Sequence, residues 1–202
     1  MSVSKEIEKK IKGLKRGKPF GSSNFLNLGS RAAVDQALWR LVKTGKITRI
    51  KNGVFVKPEK NIHVGEVLPG PEEVVKYFAH HSGNKIEING AEAARRFGFT
   101  TQASTQPVFL TNGPGRKFYL RNLHVQLKHV ASRKMALAGR PAGEALSALW
   151  YLGRNEVTPE TFEQIAERLP SSEFAALANN QEIMPGWMRS ALNEYQRECA
   201  VG

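Results

Sequence analysis

Ile7 and Ile11 stand four residues apart and Leu14 three further on, with lysine and glutamate filling most of the positions between. That spacing predicts an amphipathic helix, capped by Ser2 or Ser4 and ended before Gly17 and Pro19. Phe20 to Leu26 reads as a short second helix, with Ser22 as its cap and Phe25 and Leu26 turned inward. Asn27-Leu28-Gly29-Ser30 makes a turn. Ser30 then caps a third helix, Arg31 to Thr44, whose Val34, Ala37, Leu38 and Leu41 share one side, and Gly45 ends it. Beyond Gly45 the period changes. β-Branched runs flank Asn52-Gly53, the strongest short-range signal for a hairpin, over residues 46–58. Helix, helix, turn, helix and hairpin is the order of a winged helix-turn-helix.

The rest of the chain mixes both periods. Residues 58–70 hold Pro58, Pro69 and Gly70 and read as a linker. Pro71-Glu72-Glu73 opens a helix through Phe78. Lys85 to Ile88 reads as a short strand and Gly90 to Phe97 as a helix stopped by Gly98. Two strand-like runs between Gln106 and Leu127 surround Thr111-Asn112-Gly113-Pro114-Gly115. Helical spacing then dominates, with Leu146, Leu149 and Trp150 in a first segment. Phe162, Ile165 and Leu169 follow in a second that begins at Thr158-Pro159. A third starts at Ser171, and Met188, Leu192 and Tyr195 mark a last one after Pro185-Gly186. The expected fold class is α+β. A winged helix-turn-helix fills residues 1–60 and a basic mixed α/β domain residues 66–140. An acidic helical segment, residues 141–202, packs on that second domain.

Charge sharpens this division. The 202-residue chain carries a formal charge of +12. Residues 1–60 hold 15 Lys and Arg against 4 Asp and Glu, residues 61–140 hold 11 against 5, and residues 141–202 hold 4 against 9. A basic front points to a polyanionic partner. The single cysteine, Cys199, excludes an internal disulfide and a Cys-rich zinc module and fits a reducing cytosol. Met1 to Lys18 lacks the apolar core of a signal peptide. No run approaches the ~20 apolar residues of a membrane span. A cytoplasmic protein without membrane contact is therefore expected.

Enzyme chemistry finds little support. His80 and His81 are adjacent and so fall on different sides of a helix. His63, His124 and His129 have no neighbouring ligand type in sequence. Gly113-Pro114-Gly115-Arg116 lacks the Lys and Ser/Thr of a phosphate loop. Asp35 is the only aspartate. No catalytic residue, metal or cofactor is expected.

In a helix-turn-helix the second helix of the motif enters the major groove by its N-terminal end. Here that helix presents Ser30, Arg31, Ala32, Gln36, Arg40 and Lys43. Arg31 and Gln36 suit bidentate contacts with base edges, and Ala32 allows close approach. Arg49, Lys51 and Asn52 on the hairpin suit the DNA backbone or the minor groove. Asp35 is expected to orient Arg31 across one helical turn, and Trp39 to pack on the hairpin or on the second domain.

The run Phe20-Gly21-Ser22, Ser30 to Leu38, Arg40-Leu41-Val42, Gly45-Lys46-Ile47, Arg49-Ile50 and Asn52 to Phe55 resembles the N-terminal domain of AbiEi-type antitoxins of abortive-infection (type IV) toxin–antitoxin systems. Thr100-Thr101-Gln102, Leu110 to Gly113 and the strands leading to His129-Val130 are similar to the domain that follows in that family. The resemblance implies a sequence-specific repressor of its own operon. It would bind inverted repeats in double-stranded DNA as two copies and oppose a nucleotidyltransferase-like toxin. It also implies backbone contacts from Arg116, Lys117, Arg121, Lys128, Arg133 and Lys134. The acidic helical tail departs from the family pattern. A second reading is therefore an interaction module that binds a toxin or another partner through that tail, with DNA binding secondary.

Overall fold

The computed structural model describes residues 2–63, 65–120 and 122–201. The fold is mixed α+β with small sheets and a helical C-terminal segment. The chain forms two compact units, Met1–His81 with Tyr119–Leu123, and Ser82–Phe118 with His124–Gly202.

In the first unit, helix α1 (Val3–Gly13) buries Ile7 and Ile11 against α2 (Arg31–Lys43), which buries Val34, Ala37, Leu38 and Leu41. Phe20, Phe25, Ile47 and Phe55 complete one apolar cluster with them. Three strands close its side: β1 (Pro19–Gly21), β2 (Thr48–Lys51) and β3 (Val54–Val56), in the order β1-β3-β2 and antiparallel throughout. Lys51 pairs with Val54 across Asn52-Gly53, and Gly53 takes a φ of 75°, which glycine adopts without a Cβ penalty.

The expected second helix is not a full helix. Phe20 lies in extended backbone opposite Phe55, its ring stacked at 6.1 Å, and only a 3-10 turn, Ser22–Phe25, follows. Strand pairing and ring stacking outweigh a helix of one or two turns, which is marginal on its own. Leu26 is correspondingly exposed rather than turned inward. Residues 58–70 are likewise not a bare linker. β4 (Glu59–Asn61) and β5 (Gly65–Val67) pair antiparallel, Glu59 opposite Val67. Helix α3 (Pro71–His81) follows and packs on β1.

The second unit contains β6 (Ile86–Ile88), α4 (Gly90–Arg96), β7 (Val108–Thr111), and β8 (Arg116–Leu120) and β9 (Leu123–His129) except for their ends at Tyr119–Leu123. The sheet order is β6-β7-β9-β8, with β7 parallel to β9. The second of the two strand-like runs expected between Gln106 and Leu127 is thus two strands, β8 and β9. Four helices follow: α5 (Pro141–Leu152), α6 (Pro159–Arg168), α7 (Ser171–Ala178) and α8 (Gly186–Val201). Leu146, Leu149, Phe162, Ile165, Leu177, Met188 and Leu192 are fully buried among them. α4 and α5 approach closely because Gly90 has no side chain: a Cβ there would lie 2.6 Å from the Ser147 carbonyl oxygen. The buried Glu87 joins β6 to the start of α5 by accepting from the Ile88 and Gly139 N–H groups at 2.9 and 3.0 Å.

Candidate nucleic-acid interface

The exposed side of α2 follows from its buried one. Ser30 is extended (φ −61°, ψ 154°), and its Oγ accepts from the Ala33 N–H at 3.3 Å, satisfying one of the donors free at a helix start. From that cap onward Arg31, Ala32, Asp35, Gln36, Trp39, Arg40 and Lys43 are exposed. The Arg31 Nε lies 3.3 Å from the Asp35 carboxylate, the pairing expected from their i,i+4 spacing. Both side chains are more than half exposed, so the pair directs Arg31 more than it stabilises the helix. The Trp39 side chain is exposed, and the Lys43 ammonium sits 5.4 Å from its ring centroid.

On the hairpin, Arg49 donates to the Asn52 Oδ1 at 2.8 Å, which fixes both side chains at one end of β2–β3. Lys51 places its ammonium 5.3 Å from the Phe78 ring centroid. β2 carries an irregularity between Arg49 and Lys51, where the register against β3 shifts by one residue. Helix α3 braces this region. Glu73 accepts from Lys18 at 2.7 Å, and the Tyr77 hydroxyl lies so close to Gly21 that a Cβ there would be 2.3 Å from it. Burial pushes the Tyr77 phenol above its ordinary range. The sequence signals α3 through Pro71-Glu72-Glu73, but nothing in it signals that Glu73, Tyr77 and Phe78 hold the hairpin side.

Not every cation of the first unit faces outward for a partner. Lys57 donates to the Lys12 and Leu14 carbonyls at 2.5 and 3.1 Å, and Arg16 to the Pro58 carbonyl at 3.1 Å. Lys46 bonds the Glu8 carboxylate and, with Lys12 further off, holds it below the usual carboxylate range. Lys57 and Lys46 tie α1 to the segments that flank β2 and β3, and Arg16 ties the chain after α1 to Pro58. Arg31, Arg40, Lys43, Arg49 and Lys51 remain exposed on α2 and the hairpin.

In the second unit Arg116 and Lys117 are exposed at the start of β8, and Lys128 near the end of β9. Arg133 and Lys134 lie in a 3-10 turn, Ser132–Met135. Arg121 lies outside the described residues. Among the described residues no three His, Cys, Asp or Glu side chains converge as metal ligands would, and no helix is long and apolar enough to cross a membrane.

Residues 6–176 match a family described as Family of unknown function (DUF6088). No curated protein matches the chain.

Proposed function

The chain belongs to the family DUF6088, and we propose that it is a sequence-specific DNA-binding repressor whose first unit is a winged helix. α2 is the recognition helix and β2–β3 the wing. The observation that carries this reading is the outer face of α2. A Ser30-capped helix start leaves Arg31, Ala32 and Gln36 exposed, while the face with Val34, Ala37, Leu38 and Leu41 is buried. Arg31 and Gln36 offer paired donors to base edges, and the free N–H groups of the helix start favour a phosphate. Arg40, Lys43, Arg49 and Lys51 supply backbone contacts that add affinity without sequence choice.

Two copies on an inverted repeat match the symmetry of such operators. The resemblance to AbiEi-type antitoxins gives the biological setting: control of the chain's own operon and opposition to a nucleotidyltransferase-like toxin encoded beside it. The test is fluorescence anisotropy with a duplex taken from upstream of the chain's own reading frame, against a scrambled duplex of equal length. Preference for the first by about a thousand-fold or more is expected of specific recognition. Equal affinity for both refutes sequence reading. For the antitoxin assignment, co-expression must restore growth that the neighbouring gene product arrests; continued arrest refutes it.

A further inference from the structure

Asparagine followed by glycine occurs three times, at Asn52-Gly53, Asn89-Gly90 and Asn112-Gly113. This pair carries a chemistry of its own. The backbone nitrogen of the second residue can attack the asparagine side-chain carbon, and a glycine leaves that nitrogen uncrowded. Asparagine is one of the thermolabile residues for this reason.

The fold treats the three pairs differently. Gly90 is buried at the start of α4, where a Cβ would lie 2.6 Å from the Ser147 carbonyl oxygen, so close packing on α5 leaves no room for attack. Gly113 is also buried. Its N–H donates to the Thr111 Oγ1 at 3.0 Å, and the Asn112 Oδ1 accepts from the Lys85 N–H at 2.7 Å, so both reacting groups are engaged. Asn52 is exposed at the tip of the β2–β3 hairpin. Gly53 lies in the turn between the paired Lys51 and Val54, and its N–H makes no hydrogen bond among the described residues. A Cβ on Gly53 would meet nothing nearer than the Ser22 Oγ at 3.6 Å, so the turn is open to rearrangement. Arg49 adds a chemical bias, because its Nη2 donates to the Asn52 Oδ1 at 2.8 Å. A guanidinium on that oxygen draws electrons from Cγ and stabilises the negative charge that builds there during attack.

We propose that Asn52-Gly53 is a self-modification site, at which Arg49 assists conversion of the Asn52 amide to a carboxylate. The Gly53 nitrogen gives its proton to solvent and bonds to the Asn52 Cγ. The Cγ–Nδ2 bond breaks, and ammonia leaves with a proton from water. Water then opens the resulting succinimide ring at either carbonyl, leaving an aspartate or an isoaspartate at position 52. The sum is amide plus water to carboxylate plus ammonium. The new carboxylate replaces the amide that Arg49 bonds, and it cancels the charge of that arginine. This consequence rests on the reading of the hairpin as a DNA contact: the repressor would then lose grip with time since its synthesis.

The full chain is kept in heavy-oxygen water at mildly alkaline pH, and peptides covering the three pairs are followed by mass spectrometry. Expected is conversion at Asn52 with gain of a labelled oxygen, while Asn89 and Asn112 stay amides and report that the chain is folded. In urea all three should convert alike. Arg49→Ala should slow conversion in the folded chain about five-fold, the scale of one hydrogen bond at an exposed position. An Asn52 that outlasts Asn112, or that converts only in urea, overturns the site, and an unchanged rate in Arg49→Ala overturns the part given to Arg49. Asn52→Asp stands for the α-linked product and should weaken operator binding about ten-fold and flatten its salt slope by about one. Operator binding that Asn52→Asp leaves unchanged refutes the consequence for DNA. Conversion itself is read without DNA, so a chain that converts at Asn52 but binds no duplex upholds the site and refutes the DNA reading.

Discussion

Salt dependence tests the proposed DNA contact most directly, because its size follows from counting charges on the face. Arg31, Arg40, Lys43, Arg49 and Lys51 are exposed on α2 and the hairpin. If Arg40, Lys43, Arg49 and Lys51 each neutralise one phosphate while Arg31 reads a base, about four counterions are displaced, and log K should fall against log salt with a slope of about −3.6. Raising salt from about 50 to about 200 mM then weakens binding about 150-fold, or about 3 kcal/mol. Anisotropy of a labelled operator duplex at four salt concentrations measures the slope. Lys43→Ala should make it shallower by about one and weaken all duplexes alike. Arg31→Ala should cost about 1–3 kcal/mol on the operator and less on scrambled DNA. The count covers α2 and the hairpin only, so Lys46, Lys57 and Arg16, which bond Glu8 or backbone carbonyls, lie outside it. A slope flatter than about −1 would refute the reading. So would a slope near −3.6 that Lys43→Ala and Arg49→Ala leave untouched, for other cations would then carry the contact.

Four further outcomes follow from the packing. Gly143→Ala would set a Cβ 2.2 Å from the Leu137 carbonyl oxygen and 2.6 Å from the Glu87 carboxylate, so overpacking and a weakened buried carboxylate should together cost about 3–5 kcal/mol in urea denaturation; a change under about 0.5 kcal/mol would contradict that contact. Ser30→Ala should destabilise the first unit by about 1 kcal/mol and Ser30→Gly by only a few tenths, read by thermal melting. Leu38→Ala, at a fully buried position, should cost about 2–5 kcal/mol by the same measurement. Hydrogen bonds from Arg140 and then from the Ala142 N–H hold the Glu173 carboxyl below its usual range. That contribution to stability is present above the ordinary glutamate range and lost as pH falls through the lowered value. Glu173→Gln should therefore flatten the acid limb of a melting temperature–pH profile, and an unchanged limb would exclude this carboxylate as its source.

Elements with a buried stripe and a cap were legible in the sequence. α2 begins at the Ser30 cap and buries Val34, Ala37, Leu38 and Leu41 as its spacing predicts. The Asn52-Gly53 hairpin and the i,i+4 pairing of Arg31 with Asp35 are equally local features. Elements whose form depends on distant partners were not legible. Phe20 suits a helix or a strand, and only Phe55, 35 positions away, decides for the strand. β4 and β5 are exposed along their described side chains, so no alternation of apolar and polar residues marks them. On the candidate face the sequence located the residues but not their occupancy. The tie between Arg49 and Asn52, the Lys51–Phe78 contact and the bracing by Tyr77 need the fold. The meeting of Arg133 and Lys134 at the Trp150 ring does too, because a helix from later in the chain supplies the ring.

The family match ends at residue 176, inside α7, yet the second unit does not end there physically. α8 lies wholly beyond it and packs on α6, with Met188 and Leu192 fully buried. Trp187 meets Trp150 edge-on at 6.2 Å, and Tyr195 meets Phe174 at 5.6 Å. The Tyr195 phenol is pushed up to about 12 by its bond with Cys199, then by burial and by neighbouring charges that include Glu163 and Glu167 of α6. Burying Met188 and Leu192 alone contributes about 3–6 kcal/mol, a large share of the roughly 5–15 kcal/mol that holds a domain together. Cutting the chain at residue 176 should therefore unfold the second unit instead of merely trimming it, and Trp150 would lose its edge-on partner. A cut that left Trp150 emission and the urea midpoint unchanged would show that α8 is an appendage. Its acidic side chains would then be free to serve a partner without any structural role for the helix that carries them.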